Sequence, residues 1–240
     1  SRAARGKAGK LVKAGIAPAA LYGACVTGLS DAQLLSLRRT AGAGTAPRAK
    51  GRSLDVALQL SGLDLIGQAT AAPMVRWAIE VWNATGGWDR RAMPVKLLRD
   101  SWEQAAACEP ATWRKVRGPI GAAILSGHRI GWTMKNPFEW VTDSGHVLLL
   151  AQEAPALIGW HVQQSAHRLV ERRVAEKCGD PELAGKRANL TFIRRMLQSK
   201  AKNAMSTAEK SMLRTVAANA LWTRERQAEA GYPVDAQCQM

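Results

Sequence analysis

The chain has 240 residues, of which 47% are hydrophobic, so it is long enough to bury a core and is not composed like a disordered tail. Thirty-four Lys and Arg residues against 19 Asp and Glu residues give a formal net charge of +15. This excess indicates a polyanionic partner, of which nucleic acid is the commonest. The longest uncharged run, residues 14–30, is too short and too often interrupted by Gly and Pro to span a membrane.

The excess charge lies at the two ends of the chain. Residues 1–52 contain ten basic residues and one acid, residues 166–240 contain fourteen and eight, and the middle is close to neutral. The cysteines form no Cys-x-x-Cys pair, which is typical of an intracellular, reducing compartment, nuclear or cytoplasmic. The four widely spaced cysteines are Cys25, Cys108, Cys178 and Cys238.

The predicted elements of the first half of the chain are helices that start at serine caps or at prolines. Ser30 caps a helix over residues 31–40, in which Arg38 and Arg39 occupy the last turn and interact favourably with the helix dipole. Residues 41–50 form a flexible, Gly-rich connection. The further predicted helices run from Ser53 to Leu60, from Pro73 to Gly86-Gly87, from Pro94 to Ala107, from Pro110 to a break at Gly118-Pro119, and from Ile120 to Ser126.

The pattern changes over residues 128–150. Short apolar runs there are separated by Asn136-Pro137 and by Asp143-Ser-Gly145, and both of these favour turns. A small β-hairpin or irregular insert is therefore predicted.

Helices return in the last third of the chain. One runs from Pro155 to about Cys178 with an apolar face, and another covers residues 189–199. Ser206 and Glu209 form a capping box for a helix that extends to about Ala230. The predicted fold is mainly α, a helical bundle-like assembly with one small β-hairpin or irregular insert. Its predicted segments are residues 1–52, 53–127, 128–151 and 152–240.

The chain carries no motif of a complete catalytic site. Nucleotidyl transfer needs paired acids that hold two metal ions, and the eight Asp residues include no adjacent pair and no Asp-x-Asp. The P-loop, dinucleotide-binding and His-Glu-x-x-His patterns are missing as well. His161 and His167 share a predicted helix at a spacing that turns them apart. No Cys or acid at ligand spacing joins His128 and His146.

Tryptophan is the commonest aromatic residue, with nine copies. Trp132 and Trp140, in the predicted insert, are candidates for stacking on nucleic-acid bases. Core packing is the better explanation for the four at apolar helical positions, which are Trp77, Trp82, Trp102 and Trp160.

Basic residues cluster in two regions, and their number favours sequence-independent, salt-sensitive phosphate contacts over a merely solvated face. The first cluster has few compensating acids and lies partly on the Gly-rich connection. It consists of Arg38, Arg39, Arg48, Lys50 and Arg52. The second group consists of doublets on or near helices, which are Arg172 and Arg173, Lys186 and Arg187, and Arg194 and Arg195.

Three stretches carry a family resemblance. The first is Leu11-Val-Lys-Ala-Gly-Ile-Ala-Pro-Ala-Ala-Leu-Tyr-Gly-Ala-Cys-Val-Thr-Gly-Leu-Ser30, followed by Leu34 and Leu37-Arg38-Arg39. The second is Arg117-Gly-Pro-Ile-Gly-Ala-Ala123 with Gly131-Trp132 downstream, and the third is Ala217-Ala-Asn-Ala-Leu-Trp222 leading to Ala230-Gly-Tyr232 and Cys238. Together they resemble the region after the polymerase palm in LINE-type (non-LTR) retrotransposon reverse transcriptases. Their Ala- and Arg-rich sequence is similar to that of the many copies in dinoflagellate genomes.

The resemblance implies a thumb and connector, which hold an RNA or RNA/DNA duplex by its backbone. The palm, with the Tyr/Phe-x-Asp-Asp ligands of Mg²⁺, would lie before Ser1, and a further domain would lie after Met240. Cys238 would be the first ligand of a zinc knuckle that the chain does not complete. No cofactor and no membrane partner are expected for this chain alone.

Two other hypotheses remain open. A domesticated structural subunit of a ribonucleoprotein or organellar complex would show the same charge. An enzyme of unrecognised type would gather several of the residues His128, His146, Asp143 and Glu139 in a deep pocket.

Overall fold

The computed structural model describes residues 8–49, 51–86, 92–107, 112–116, 118–177, 182, 185–199, 204–221 and 223–233. Its helices are α1 Ala8–Leu11, continued by a π-helical turn over Val12–Ile16, α2 Ala17–Ala20, α3 Ala24–Thr27, α4 Asp31–Ala43, α5 Leu54–Leu60, α6 Leu65–Gly86, α7 Val95–Ala106, α8 Gly118–Arg129, α9 Pro155–Lys177, α10 Thr191–Gln198, α11 Thr207–Ala217 and α12 Arg224–Glu229. The strands are β1 Thr133–Met134, β2 Glu139–Val141 and β3 Val147–Leu149. The prediction of a mainly α fold with one small β insert is confirmed.

Helix α6 lies at the centre of the fold and packs against α8 and α9. Met74, Ala78 and Val81 on α6 and Ile158 and Val162 on α9 are fully buried. This spacing of three and four residues places the apolar side chains on one face of each helix. One hydrophobic cluster extends from the first helices to α11 and draws on all four predicted segments.

Three serine caps predicted from the sequence are present, because each depends only on neighbouring residues. Ser30 forms a capping box with Gln33, and Ser206 forms another with Glu209. The Ser53 hydroxyl accepts from the N–H of Val56 at 3.4 Å. These side chains bond N–H groups of the first turn that have no partner within the helix.

The predicted start of α6 at Pro73 is wrong. The helix begins eight residues earlier, where Asp64 Oδ1 accepts from the N–H of Gly67 at 2.9 Å, and Pro73 lies inside it. An internal proline removes one helical hydrogen bond and costs about 3 kcal/mol. Burial of the apolar face on both sides of Pro73 offsets this cost, which local sequence preference does not show.

Three other predicted helix boundaries are corrected. Helix α4 does not end at about Thr40 but continues to Ala43, because Ala41 and Gly42 are buried in the contact with α5. Gly118-Pro119 begins α8 and does not break a helix. The helix that starts at Ser206 ends at Ala217. There Asn219, at φ +51°, and Ala220 bond back to the carbonyls of Val216 and Thr215 in a Schellman motif.

The β insert is a three-stranded antiparallel sheet in the order β1–β2–β3, which is one strand more than a hairpin. Trp140 pairs with Met134 on one side and with Leu148 on the other. Both predicted turns are present, and Asn136 Oδ1 accepts from the N–H groups of Phe138 and Glu139 at 2.8 and 2.9 Å. Trp140 and Leu148 have no exposed surface, so this row of the sheet faces the core.

Candidate nucleic-acid interface

Arg38 is the first residue of the predicted phosphate-binding cluster, and it faces the protein interior. Its guanidinium donates to Asp55 Oδ1, and only 9% of the Arg38 side chain and 1% of the Asp55 side chain are exposed. Burial lowers the pKa of Arg38; the charge of Asp55 opposes this change and that of Arg173 adds to it. This residue therefore joins α4 to α5, and the expectation that it contacts phosphate is corrected.

Arg52 also has a structural role inside the fold, which the sequence did not indicate. Its guanidinium donates to the carbonyl oxygen of Thr45 at 2.8 Å and to those of Pro47 and Gly42. These bonds tie the connection between α4 and α5 to the last turn of α4. Burial and the nearby charge of Arg48 lower the pKa of Arg52.

Two members of the first cluster are exposed to solvent. Arg39 lies on the outer side of α4, and Arg48 lies on the connection that Arg52 holds in place. Neither forms an ion pair with another described residue. Lys50, the fifth predicted member, lies outside the described residues.

The two basic ends of the chain meet beside this connection. The N–H of Ser53 donates to the carbonyl of Ala218 at 2.7 Å. A side-chain carbon built on Gly51 would lie 4.0 Å from the guanidinium of Arg226, which itself donates to the carbonyl of Asn219 at 2.8 Å. Arg226 of the last segment therefore lies beside the connection that carries Arg48 and Arg52, although about 170 residues separate them in the sequence.

The doublets of the second group separate in space. Arg172 lies 3.9 Å from Asp143 Oδ2, beside the closer ion pair that Arg168 forms with the same carboxylate. Arg195 is exposed on α10, as are Lys186 and Arg187 before it. Arg194 is half-buried and lines a cleft of about 230 Å³ between α9 and α10.

Arg173 has different neighbours from Arg172. It acts electrostatically on Arg38 and on Arg129, and its charge contributes to lowering the pKa of both. The sequence pattern did not single out Arg129. Its position in the last turn of α8 was the only available signal, and its partner Asp31 lies 98 residues away.

The tryptophans of the insert are core residues, so the expectation that they stack on bases is wrong. Trp132 and Trp140 are 2% and 0% exposed, and they continue a ring cluster with Trp77 and Trp102. Trp132 donates its indole N–H to Ser165 Oγ at 2.8 Å. Trp160, predicted to be in the core, is 53% exposed and packs edge-on against His161.

The histidines do not gather as the enzyme hypothesis requires. His146 stacks on His161, with ring centroids 5.0 Å apart, and does not approach His128 in this way. Asp143 is bonded by Arg168, and Glu139 by Lys135 at 2.8 Å.

His167 lies apart from the other histidines. Its Nδ1 is 3.4 Å from Gln59 Nε2, and its Nε2 is 3.9 Å from Asp64 Oδ2 at the start of α6. Within the described residues, no three His, Cys, Asp or Glu side chains are placed to hold a metal ion. Cys238, the predicted zinc ligand, lies outside those residues.

Comparisons with known proteins found no match: no family model, no curated protein and no solved structure is significantly similar to this chain. The resemblance to LINE-type reverse transcriptases therefore stays a prediction. In the part of the chain that the structure describes, no helix is both long enough and apolar enough to cross a membrane.

Proposed function

We propose that this protein binds the backbone of RNA or of an RNA/DNA duplex without reading its sequence and without catalysing a reaction. The surface that binds is centred on the connection between α4 and α5. It includes Arg39 and Arg48, and the basic C-terminal segment lies beside it. In this proposal the chain is the thumb and connector of a LINE-type reverse transcriptase.

The single observation that carries the proposal is the meeting of the two basic ends at Ser53 and Ala218. A charge of +15 spread evenly would have little local effect, whereas neighbouring cations raise the local potential and attract a polyanion. Arg48 and Arg39 are exposed and have no acidic partner among the described residues. Phosphate can therefore pair with them without first displacing a carboxylate.

The connection also has the stiffness that phosphate binding needs. Because Arg52 holds two backbone carbonyls of the connection and one of the last turn of α4, Arg48 is presented on an ordered loop. Less side-chain and loop entropy is then lost when a ligand binds.

The test is a salt titration of binding to a labelled RNA/DNA duplex, followed by fluorescence anisotropy. We expect the logarithm of the binding constant to fall linearly with the logarithm of the salt concentration, with equal affinity for duplexes of unrelated sequence. Arg48→Gln should weaken binding and reduce the salt slope by about 1.

The matched control is Arg76→Gln, which removes the same charge from α6. Arg76 is exposed but already paired with Glu80, so its loss should leave the slope unchanged. Absence of binding at low salt, binding without salt dependence, or equal losses in the two variants would contradict the proposal.

A further inference from the structure

The cleft between α9 and α10 is built from three parts of the chain and has a volume of about 230 Å³. The N–H of Ala188 donates to the carbonyl of Glu171 at 3.2 Å, which holds the segment before α10 against α9. On the α5 side, Gln59 Nε2 lies 3.4 Å from Nδ1 of His167. One water occupies about 30 Å³ of liquid, so the cleft has room for a molecule much larger than water.

The walls of the cleft are partly apolar. Val170 and Val174 line it from α9, and because they are four residues apart they lie on one face of that helix. Ala188 and Leu190 line it from the segment that leads into α10. Apolar side chains on two sides suit a flat ligand, whose faces are poorly hydrated and whose polar groups lie at its edges.

Polar side chains without partners also line this cleft. Glu171 of α9 and Arg194 of α10 are half-buried, and neither forms an ion pair or a side-chain hydrogen bond with another described residue. Arg168, one turn before Glu171, is already bonded to Asp143. One carboxylate and one guanidinium are therefore available to a ligand, in a site where partial dehydration strengthens their hydrogen bonds.

The rim of the cleft is positively charged. Lys186 and Arg187 directly precede Ala188, Arg195 directly follows Arg194, and all three cations are exposed. Cations clustered in this way attract an anionic ligand. The cleft thus combines apolar walls, one acid and one guanidinium with a rim that favours a phosphate group.

We propose that the cleft binds the base of a guanine nucleotide and that the rim holds its phosphate. Guanine has adjacent N1–H and N2–H donors that can bond to the one carboxylate of Glu171, and its O6 and N7 can accept from Arg194. No other RNA base offers donors on two adjacent atoms. The nucleotide is either free or unpaired in a strand. Since pairing in a duplex hides the N1–H edge, this site goes beyond the proposed backbone binding.

The test is a calorimetric titration of the whole chain with the 5′-monophosphates of guanosine, adenosine, cytidine and uridine at one salt concentration. All carry the same phosphate, so the rim contributes equally to each. We expect saturable one-to-one binding of the guanine nucleotide. Its affinity should exceed the others by about 10-fold, within the roughly 5- to 150-fold that one bidentate contact to a base supplies. Inosine 5′-monophosphate, which lacks the N2 amine, should be intermediate.

Substitutions separate the base from the phosphate. Glu171→Gln removes the carboxylate and should abolish most of the preference for guanine. Glu176→Gln, at an exposed position of the same helix, should keep that preference. Arg195→Gln should weaken all four nucleotides equally. If Glu171→Gln does not fold, the order of the guanine, inosine and adenine nucleotides on the native chain still decides the proposal.

Equal affinity for the four nucleotides, no binding of any of them, or equal losses in Glu171→Gln and Glu176→Gln would overturn the proposal. A single-stranded RNA of adenosines with and without one guanosine identifies the source of the base. If the guanosine tightens strand binding and the free nucleotide competes, the strand occupies the site; if the guanosine has no effect, the free nucleotide is the ligand. If the guanine nucleotide binds selectively but no duplex binds, the site stands and the proposed function fails.

Discussion

Arg38 and Asp55 form a buried ion pair that joins α4 to α5. The carboxylate is 1% exposed and also accepts from Lys177 Nζ at 2.7 Å, so one acid on α5 holds cations from α4 and α9. Buried charges need such partners, because an unpaired one loses its hydration without compensation. The pair therefore fixes the relative positions of three helices around the connection that carries Arg48.

Replacing Arg38 should destabilise the fold. We expect Arg38→Gln to lower the free energy of unfolding by about 3 kcal/mol, because it removes one partner of a buried pair. Arg39→Gln, the same change at the exposed neighbour, should have an effect within about 0.5 kcal/mol. Urea unfolding measures both variants, and equal stabilities would show that Arg38 is not the structural cation.

The Ser165 hydroxyl joins the β insert to α9. It accepts from the indole N–H of Trp132 at 2.8 Å and donates to Asp143 Oδ1 at 2.6 Å. Ser165→Ala leaves the buried indole N–H without an acceptor, which should cost about 1–3 kcal/mol in the free energy of unfolding. Ser211→Ala, at an exposed position of α11, is the matched control. A Ser165→Ala variant as stable as the native chain would contradict this role.

The stability of the fold should depend on pH through His161. Burial lowers the pKa of His161 below its ordinary value, as does the charge of the stacked His146, while Glu153 opposes the shift. The folded state therefore binds fewer protons than the unfolded state. The free energy of unfolding should be highest above the ordinary pKa of about 6.5 and should decrease as pH falls through and below it.

Titration of the imidazole signals by NMR checks this directly. His146→Gln removes one of the causes of the shift, so it should raise the pKa of His161 and weaken the pH dependence of unfolding. A native His161 that titrates at or above the ordinary value would contradict the prediction.

Gly28 combines a backbone constraint with a packing constraint. Its φ is +64°, and an added Cβ would lie 2.6 Å from the Trp113 ring that stacks on Arg129. Gly23, at φ +76° and ψ −4°, has open space around it and shows the cost of the left-handed region alone, whereas Gly28, at ψ −174°, lies in a region essentially restricted to glycine. Gly23→Ala should cost about 1–2 kcal/mol. Gly28→Ala should cost a further 1–3 kcal/mol or so, because Trp113 must move.

Urea unfolding of these two variants measures the difference. Gly28→Ala should also change the fluorescence of Trp113, whereas Gly23→Ala should not. Equal losses of stability would mean that Trp113 does not pack against Gly28 in solution.

Hydrogen bonds between residues close in the sequence explain which features could be predicted. The caps at Ser30, Ser53 and Ser206 each bond an N–H three residues away, and the turn at Asn136 bonds those of the next residues, so neighbouring residues were sufficient to place them. The mainly α class with a small β insert likewise followed from periodicity and turn residues. The concentration of charge in the two ends was visible in the sequence, but not their meeting in space.

Contacts between residues far apart in the sequence decided which arginines are buried and which are exposed. Arg38 and Arg39 are adjacent in the sequence, yet one is buried against Asp55, 17 residues away, and the other faces solvent. Arg172 and Arg173 are both half-buried, yet they have different neighbours, because successive helical residues point about 100° apart. Composition established that this protein is basic, and periodicity with turn residues indicated that it is mainly helical. The burial of each cationic side chain decides whether it is structural, exposed or close to another cation. Only the packing of α4, α5, α8 and α9 determines that burial.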